Sequence, residues 1–284
     1  MSGPRLDPDA LRYATHWEPV LAPSGRRLLE RVVAVDAGRS AVGSQRPTVL
    51  DLGAGTGSLA LAAAERWPGA HLICVDASAG MLSVARHRVA SRGPGGAPAS
   101  FEWLAADAAA MPLADASADV VLSAFMLQLV PDHRGVLREA RRVLRPGGVL
   151  GFVTWLAEDL LLDADAEFDE AVYDLELDDP TVDRHEPDAD EYESLAEAEA
   201  DLVATGFAEV MVEADRLGYT WTRGQYRVFK EEFDERELMT SLSTADRARL
   251  LARVDERWAA LPDAAFAMSA PLVSATARQP GGRS

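Results

Sequence analysis

Thr48-Val49-Leu50-Asp51-Leu52-Gly53-Ala54-Gly55-Thr56-Gly57 joins a short aliphatic and β-branched run, entered from Pro47, to three glycines at alternate positions. Leu59, Leu61 and several alanines then recur at helical spacing from Ser58 to Arg66, and Pro68-Gly69 stops the pattern. Strand, tight turn and helix in that order begin a parallel sheet with crossover helices. His71 to Val75 continues it as a second strand ending at Asp76. Ala79 to Ala90 follows as a helix with Met81, Leu82, Val84, Ala85 and Val89 at its apolar positions.

The alternation runs on to Thr154. Gly93 to Pro98 is a loop, Phe101 to Leu104 a third strand leading to Asp107, and Asp119 to Ser123 a fourth. Arg134 to Leu144 is an amphipathic helix, Pro146-Gly147-Gly148 a helix stop followed by a turn, and Val149 to Trp155 the fifth strand. Upstream, Ser24 to Val35 reads as a helix preceded by Tyr13, His16 and Trp17. After Trp155, Leu156 to Asp190 is acidic yet carries Phe168, Val172 and Leu175 as an apolar stripe, which reads as an inserted cap. Tyr192 to Thr205 is a helix closed by Gly206, and Ala208 to Leu217 a sixth strand. Trp221 to Leu261 is mostly helical, and Ala267 to Ala277 is a last strand. The expected organisation is an N-terminal segment 1–46, a ligand-binding core 47–155, an acidic insert 156–190, and the remaining core 191–284 with a helical insertion at about 221–261.

The chain has 284 residues, 48% hydrophobic and 26% charged, which is ordinary globular composition. A net charge of −18 argues against tracking a nucleic-acid backbone, since each neutralised phosphate needs a nearby Lys or Arg. Twenty acidic residues against Arg184 alone give the window Glu158 to Asp201 a charge of −19, leaving the rest of the chain close to neutral. The apolar run Val120 to Val130 is interrupted by Ser123 and Gln128, so no membrane span is expected. Cys74 is the single cysteine, and the five histidines lack zinc-ligand spacing. The expectation is a reduced, cytoplasmic, metal-free protein.

A glycine turn between strand and helix lets the backbone approach a ligand, and the helix N-terminus offers free N–H groups. Gly55, Gly57 and Ala60 also fit the dinucleotide fingerprint, with Asp76 where an acid grips ribose hydroxyls. That leaves an NAD-dependent oxidoreductase as one reading.

The wider set favours another cofactor. Val49 to Gly57 resembles the first motif of class I S-adenosylmethionine-dependent methyltransferases. Val75-Asp76-Ala77-Ser78 with Met81-Leu82, Ala106-Asp107-Ala108 and Arg142-Val143-Leu144-Arg145-Pro146-Gly147-Gly148 resemble the same family, in its small-molecule branch that includes ubiquinone and menaquinone methyltransferases. The resemblance implies a three-layer α/β/α sandwich around a seven-stranded, mostly parallel, Rossmann-like sheet whose last strand is antiparallel. It places the methionine moiety of S-adenosylmethionine against Gly53, Ala54 and Gly55, with Asp51 anchoring a turn that Gly57 completes. Asp76 is implied to take the ribose hydroxyls, Asp107 the adenine amino group and the Ala108 amide a ring nitrogen. Ala77 and Met81 pack on the ring, and Ser123 lies beside the cofactor's amino group. In related enzymes a segment like that carrying Tyr13 and Trp17 folds over the cofactor; here the two residues equally suit packing of the following helix.

The implied activity is in-line methyl transfer to a small-molecule acceptor, leaving S-adenosylhomocysteine, or, as an alternative, cofactor binding without catalysis. The acidic insert points to a cationic or amine-bearing acceptor, or simply to a solvated face. No general base is obligatory. His133 is a candidate if the acceptor is a hydroxyl, and equally suits the start of a helix; His16 is a second candidate.

Overall fold

Seven strands form one sheet in the order β3-β2-β1-β4-β5-β7-β6 in the computed structural model, which describes residues 6–36, 46–92, 99–158, 162–177 and 191–281. The expected loop Gly93 to Pro98, His185 and residues 178–190 of the acidic insert lie outside the described residues. In chain order the elements are α1 (Pro8–Arg12), a π turn (Tyr13–Trp17), α2 (Glu18–Asp36), β1 (Thr48–Leu52), α3 (Ser58–Arg66), β2 (His71–Asp76), α4 (Ala79–Ser91), β3 (Ser100–Ala105) and β4 (Ala118–Ala124). After them come α5 (His133–Val143), β5 (Leu144–Trp155), α6 (Asp163–Asp174), α7 (Leu195–Ala204), β6 (Ala208–Thr220), α8 (Arg223–Phe229), α9 (Arg236–Ser241), α10 (Thr244–Ala259) and β7 (Ala267–Arg278).

β1 pairs in parallel with β2 and β4, β2 with β3 and β4 with β5, whereas β7 runs antiparallel to β5. The sheet is the expected one. Side chains alternate across a strand, so the neighbours of β5 residues fix which helix covers which face. Gly151 faces α2, where an added Cβ would fall 2.3 Å from Val32 Cγ2. Leu150 and Phe152, pointing the other way, pack with Val136 and Leu137 of α5 and Leu202 of α7. The sandwich therefore has α2 on one face and α5 with α7 on the other.

Three elements differ from the sequence expectation. α2 begins at Glu18 and carries Pro23 in its interior; the chain enters it from the π turn already helical, so Pro23 forgoes one amide bond without breaking the helix. Pro146-Gly147-Gly148 is part of β5, because Gly147 N–H donates to the Gln279 carbonyl and Gln279 N–H to the Gly148 carbonyl. α7 starts only at Leu195, where Ser194 caps the Glu197 amide, and Tyr192 is bridged to Leu156 instead.

The chain divides into two compact units, Met1–Ala157 with Ala189–Asp215 and Pro271–Ser284, and Glu158–Asp188 with Arg216–Ala270. The acidic insert and the later helical insertion thus share one unit. Within it, Trp258 Nε1 donates to the Ala164 carbonyl at 2.9 Å, and Phe168 is fully buried. Lys230, the chain's only lysine, lies among Asp234 (2.6 Å), Asp165 and Glu235 (3.1 Å each), and Tyr226 also donates to Asp165. Arg253 and Arg257 both bind Asp174, and these partners hold its carboxyl below the usual range. Asp165 and Asp174 are therefore internal ties of this unit rather than carboxylates displayed to an acceptor.

Candidate functional site

The glycine turn is shaped from outside. Gly53 N–H and Ala54 N–H both donate to the Val75 carbonyl at 2.9 Å, tying the end of β1 to the end of β2. Gly55 N–H donates to Asp76 Oδ2 at 2.8 Å, and Ser78 N–H to Asp76 Oδ1 at 2.8 Å, so one carboxylate joins the turn after β1 to the start of α4. Gly53 has φ +74°, and an added Cβ would meet Met126 at 2.4 Å; at Gly55, φ +52°, it would meet nothing within 4 Å. The first glycine is needed by the packing. The second leaves space open above the turn.

That space is a cleft of about 510 Å³, its mouth included, between the turn, α2, α3 and the end of β4. Strand order reverses between β1 and β4, the position where open α/β sheets bind ligands. Tyr13, Asp51, Gly53, Ala54 and Gly55 line it, joined by Glu18, Arg26 and Phe125. Asp51 is 1% exposed and its Oδ2 has no hydrogen-bond partner among the described residues. Burial pushes the Asp51 carboxyl up to about 7, with Asp76 adding to the rise and the Ala60 amide opposing it. Ser123, near the end of β4, is also buried with its Oγ unpartnered among the described residues, but it lies outside the cleft lining: Leu122 is the residue in register with Asp51, so Ser123 leaves the opposite face of the sheet, contrary to the place expected for it beside the cofactor's amino group. Buried acceptors without donors call for a ligand that supplies them. An ammonium group beside the turn fits Asp51. Burial, then Glu18 and Asp76, push the Tyr13 hydroxyl up to about 12, so it is a neutral donor at physiological pH.

Phe125 closes the β4 side at φ +55°, unusual for an aromatic residue. Gln128 Nε2 donates to its carbonyl at 2.7 Å, and Thr154 Oγ1 donates to Gln128 Oε1 at 2.7 Å, which holds that backbone in place. Its ring lies 5.0 Å from that of Trp155, on which Trp17 stacks at 6.5 Å. Trp17 is thus placed beside the aromatic wall rather than in the cleft lining.

Ala77 and Met81 follow Asp76 into α4, whose cap is Ser78. Asp107, exposed, stands two residues beyond β3, and its Oδ1 accepts the Ala109 amide at 2.8 Å; Ala108 is half-buried beside it. Arg142, from the sequence motif before β5, donates to the Met111 and Leu113 carbonyls and to Asp115 and Glu139, so that motif braces the loop carrying Asp107. Gly57 lies behind the turn, its added Cβ 3.0 Å from Ala85 Cβ. His133 is the first residue of α5, 8% exposed, with its ring 4.7 Å from Tyr192 and outside the cleft lining. The sequence reading missed Glu18, Thr56 and Arg88. The Glu18 carboxylate accepts the Thr56 hydroxyl and binds Arg88 at 2.5 Å, a trio that no local pattern announces.

Residues 50–152 match the protein family described as "Methyltransferase domain". Over this stretch the chain is similar to methyltransferase domains. An uncharacterised protein of Mycobacterium tuberculosis (strain H37Rv) is 35% identical to the chain over 146 residues, 51% of this chain and 47% of the relative. The demethylmenaquinone methyltransferase of Thermus thermophilus is 41% identical over 102 residues, 36% of this chain and 44% of the relative. The chain thus spans about half the length of the curated relatives it matches. A crystal structure of the YcgJ protein of Bacillus subtilis superposes with TM-score 0.51 at 21% identity, covering 84% of this chain and 94% of that one, which shows the shared fold. The matched stretch holds every cleft-lining residue of the turn, whereas Tyr13, Glu18 and Arg26 precede it. No helix among the described residues is long and apolar enough to cross a membrane.

Proposed function

We propose that the chain transfers a methyl group from S-adenosylmethionine to a small-molecule acceptor. The observation that carries this is the Asp76 carboxylate bonded to Gly55 beside a cleft lined by Asp51, whose buried Oδ2 awaits a donor. Each Asp76 oxygen accepts one backbone amide and keeps a second lone pair, enough for the two ribose hydroxyls. Asp51 receives the ammonium group, and the Gly53 to Gly55 backbone lies along the methionine moiety. Asp107 and the Ala108 amide hold the adenine edge, with Ala77 and Met81 against its face.

S-adenosylmethionine, when bound, supplies a methyl group already activated on a sulfonium. The chain's share is positioning for in-line transfer and exclusion of water, for which Phe125 supplies an apolar wall of the cleft, backed by Trp155 with Trp17 stacked on it. No residue is assigned as general base, since His133 packs on Tyr192 outside the cleft lining. The name of the Thermus thermophilus relative supports a small, non-polymeric acceptor. The −19 charge between Glu158 and Asp201 supports a cationic or amine-bearing one, with Asp165 and Asp174 no longer counted toward that field.

The test is label transfer. Full-length protein incubated with methyl-labelled S-adenosylmethionine and a small-molecule cell extract is expected to place label in an extractable product and to accumulate S-adenosylhomocysteine. Label appearing only on macromolecules contradicts the acceptor class.

A further inference from the structure

We propose that Glu18 is a positioning residue: paired with Arg88, it clamps Thr56 and thereby fixes the glycine turn, so that seating of the N-terminal segment and cofactor affinity rise and fall together. This rests on the S-adenosylmethionine reading above. Glu18 opens α2 directly after the π turn, and its side chain is 9% exposed. Its Oε2 accepts both the Thr56 hydroxyl and Arg88 Nη1, and the same Nη1 donates to the Thr56 carbonyl at 2.9 Å. Thr56 is therefore held by its side chain and its main chain at once. It sits between Gly55 and Gly57, both at positive φ, where glycine's freedom leaves the turn without steric definition of its own.

Asp76 grips one side of that turn through Gly55, and the Glu18–Arg88 pair grips the other. The two grips come from different parts of the chain. Asp76 belongs to the sheet, whereas Glu18 belongs to a segment that reaches the domain through α1 and α2. Asp7, the cap of α1, lies against α4, where a Cβ on Gly80 would meet its Oδ2 at 2.4 Å. Glu18 and Thr56 also line the cleft, and Arg88 stands behind them on α4. A carboxylate this deeply buried is costly unless paired, so losing Arg88 releases Glu18 and Thr56 together. If the pair merely pinned α2 to α4, its loss would lower stability without a selective effect on the turn.

Calorimetric titration with S-adenosylhomocysteine, on full-length wild type, Glu18→Gln, Arg88→Met, Arg88→Lys and the Glu18→Gln/Arg88→Met double variant, separates these roles. Amide hydrogen exchange on the same proteins reports the turn directly. Wild type is expected to bind. Each of Glu18→Gln and Arg88→Met is expected to weaken binding about tenfold, the scale of one charged hydrogen bond. The double variant should be no more than about threefold weaker than either single, because the pair acts as a unit. Arg88→Lys, which keeps the charge, should recover most of the affinity; in Glu18→Gln and Arg88→Met the Gly55 and Gly57 amides should exchange faster while β4 and β5 stay protected. Folded variants that bind like wild type, losses that multiply in the double variant, or faster exchange throughout the sheet overturn the clamp. A wild type that fails to bind S-adenosylhomocysteine overturns the cofactor reading, and the clamp with it.

Discussion

Asp76 Oδ2 accepts the Gly55 N–H at 2.8 Å, so the acid that ends the second strand also shapes the turn that ends the first. On the proposed reading, Asp76→Ala removes a ligand contact and a turn contact together. Affinity for S-adenosylhomocysteine should fall roughly 30- to 1,000-fold, on the order of 2–4 kcal/mol for charge-assisted bonds in a desolvated site. Asp76→Asn should not restore it, because its amide NH2 would face either the Gly55 or the Ser78 N–H. Calorimetry on both variants checks this.

Gly53 and Gly55 should respond differently to alanine. Gly53→Ala drives a Cβ to 2.4 Å from Met126 and strains φ, so the melting temperature should drop markedly. Gly55→Ala meets no atom within 4 Å and should cost the fold about 1 kcal/mol of backbone strain while filling the cleft. Its larger effect should be on ligand affinity, read by comparing thermal unfolding with titration.

Burial holds the Asp51 carboxyl up at about 7, above its unfolded value near about 3.9. Between those values the folded chain keeps a proton that the unfolded chain has released, so the contribution of Asp51 to stability falls as pH rises from about 4 to 7. Asp51→Asn removes that loss. Its unfolding free energy relative to wild type should therefore improve from pH 5 to pH 8. Wild-type affinity for S-adenosylhomocysteine should rise through pH 7 as the carboxylate ionises toward the ammonium group, and the asparagine variant should lack that rise.

Burial alone would push the Lys230 ammonium down, but Asp234, Asp165 and Glu235 outweigh it and hold the group above its ordinary value. Its stabilisation is therefore full at neutral pH and lost only as pH rises through the alkaline range. Lys230→Met should destabilise the protein by on the order of 2 kcal/mol, below the cost of breaking a fully buried pair because Asp234 is 42% exposed. Urea unfolding measures it.

β1 and α3 were legible to the residue, Thr48–Leu52 and Ser58–Arg66, because Pro47, the glycines and Pro68-Gly69 mark both ends with local chemistry. Asp76 and Asp107 were legible as acids at strand ends, which is a spacing. Glu18 and Arg88 were not, since their contact spans 70 residues and depends on how α2 and α4 pack. The left-handed Phe125 was hidden for the same reason: Gln128 and Thr154, which hold it, meet only once β4 and β5 are paired. Asp165 and Asp174 looked like solvated charge because their partners Lys230, Arg253 and Arg257 lie more than 60 residues away.

The central claim is that the rim made by Gly55, Asp76 and Asp51 binds S-adenosylmethionine rather than a nicotinamide dinucleotide. Calorimetric titration of the full-length protein with S-adenosylhomocysteine and, separately, with NADH tests it most directly. Saturable micromolar binding of S-adenosylhomocysteine, lost in Asp76→Ala, with no heat from NADH, is the predicted result. Binding of NADH with none of S-adenosylhomocysteine by a folded protein would contradict it.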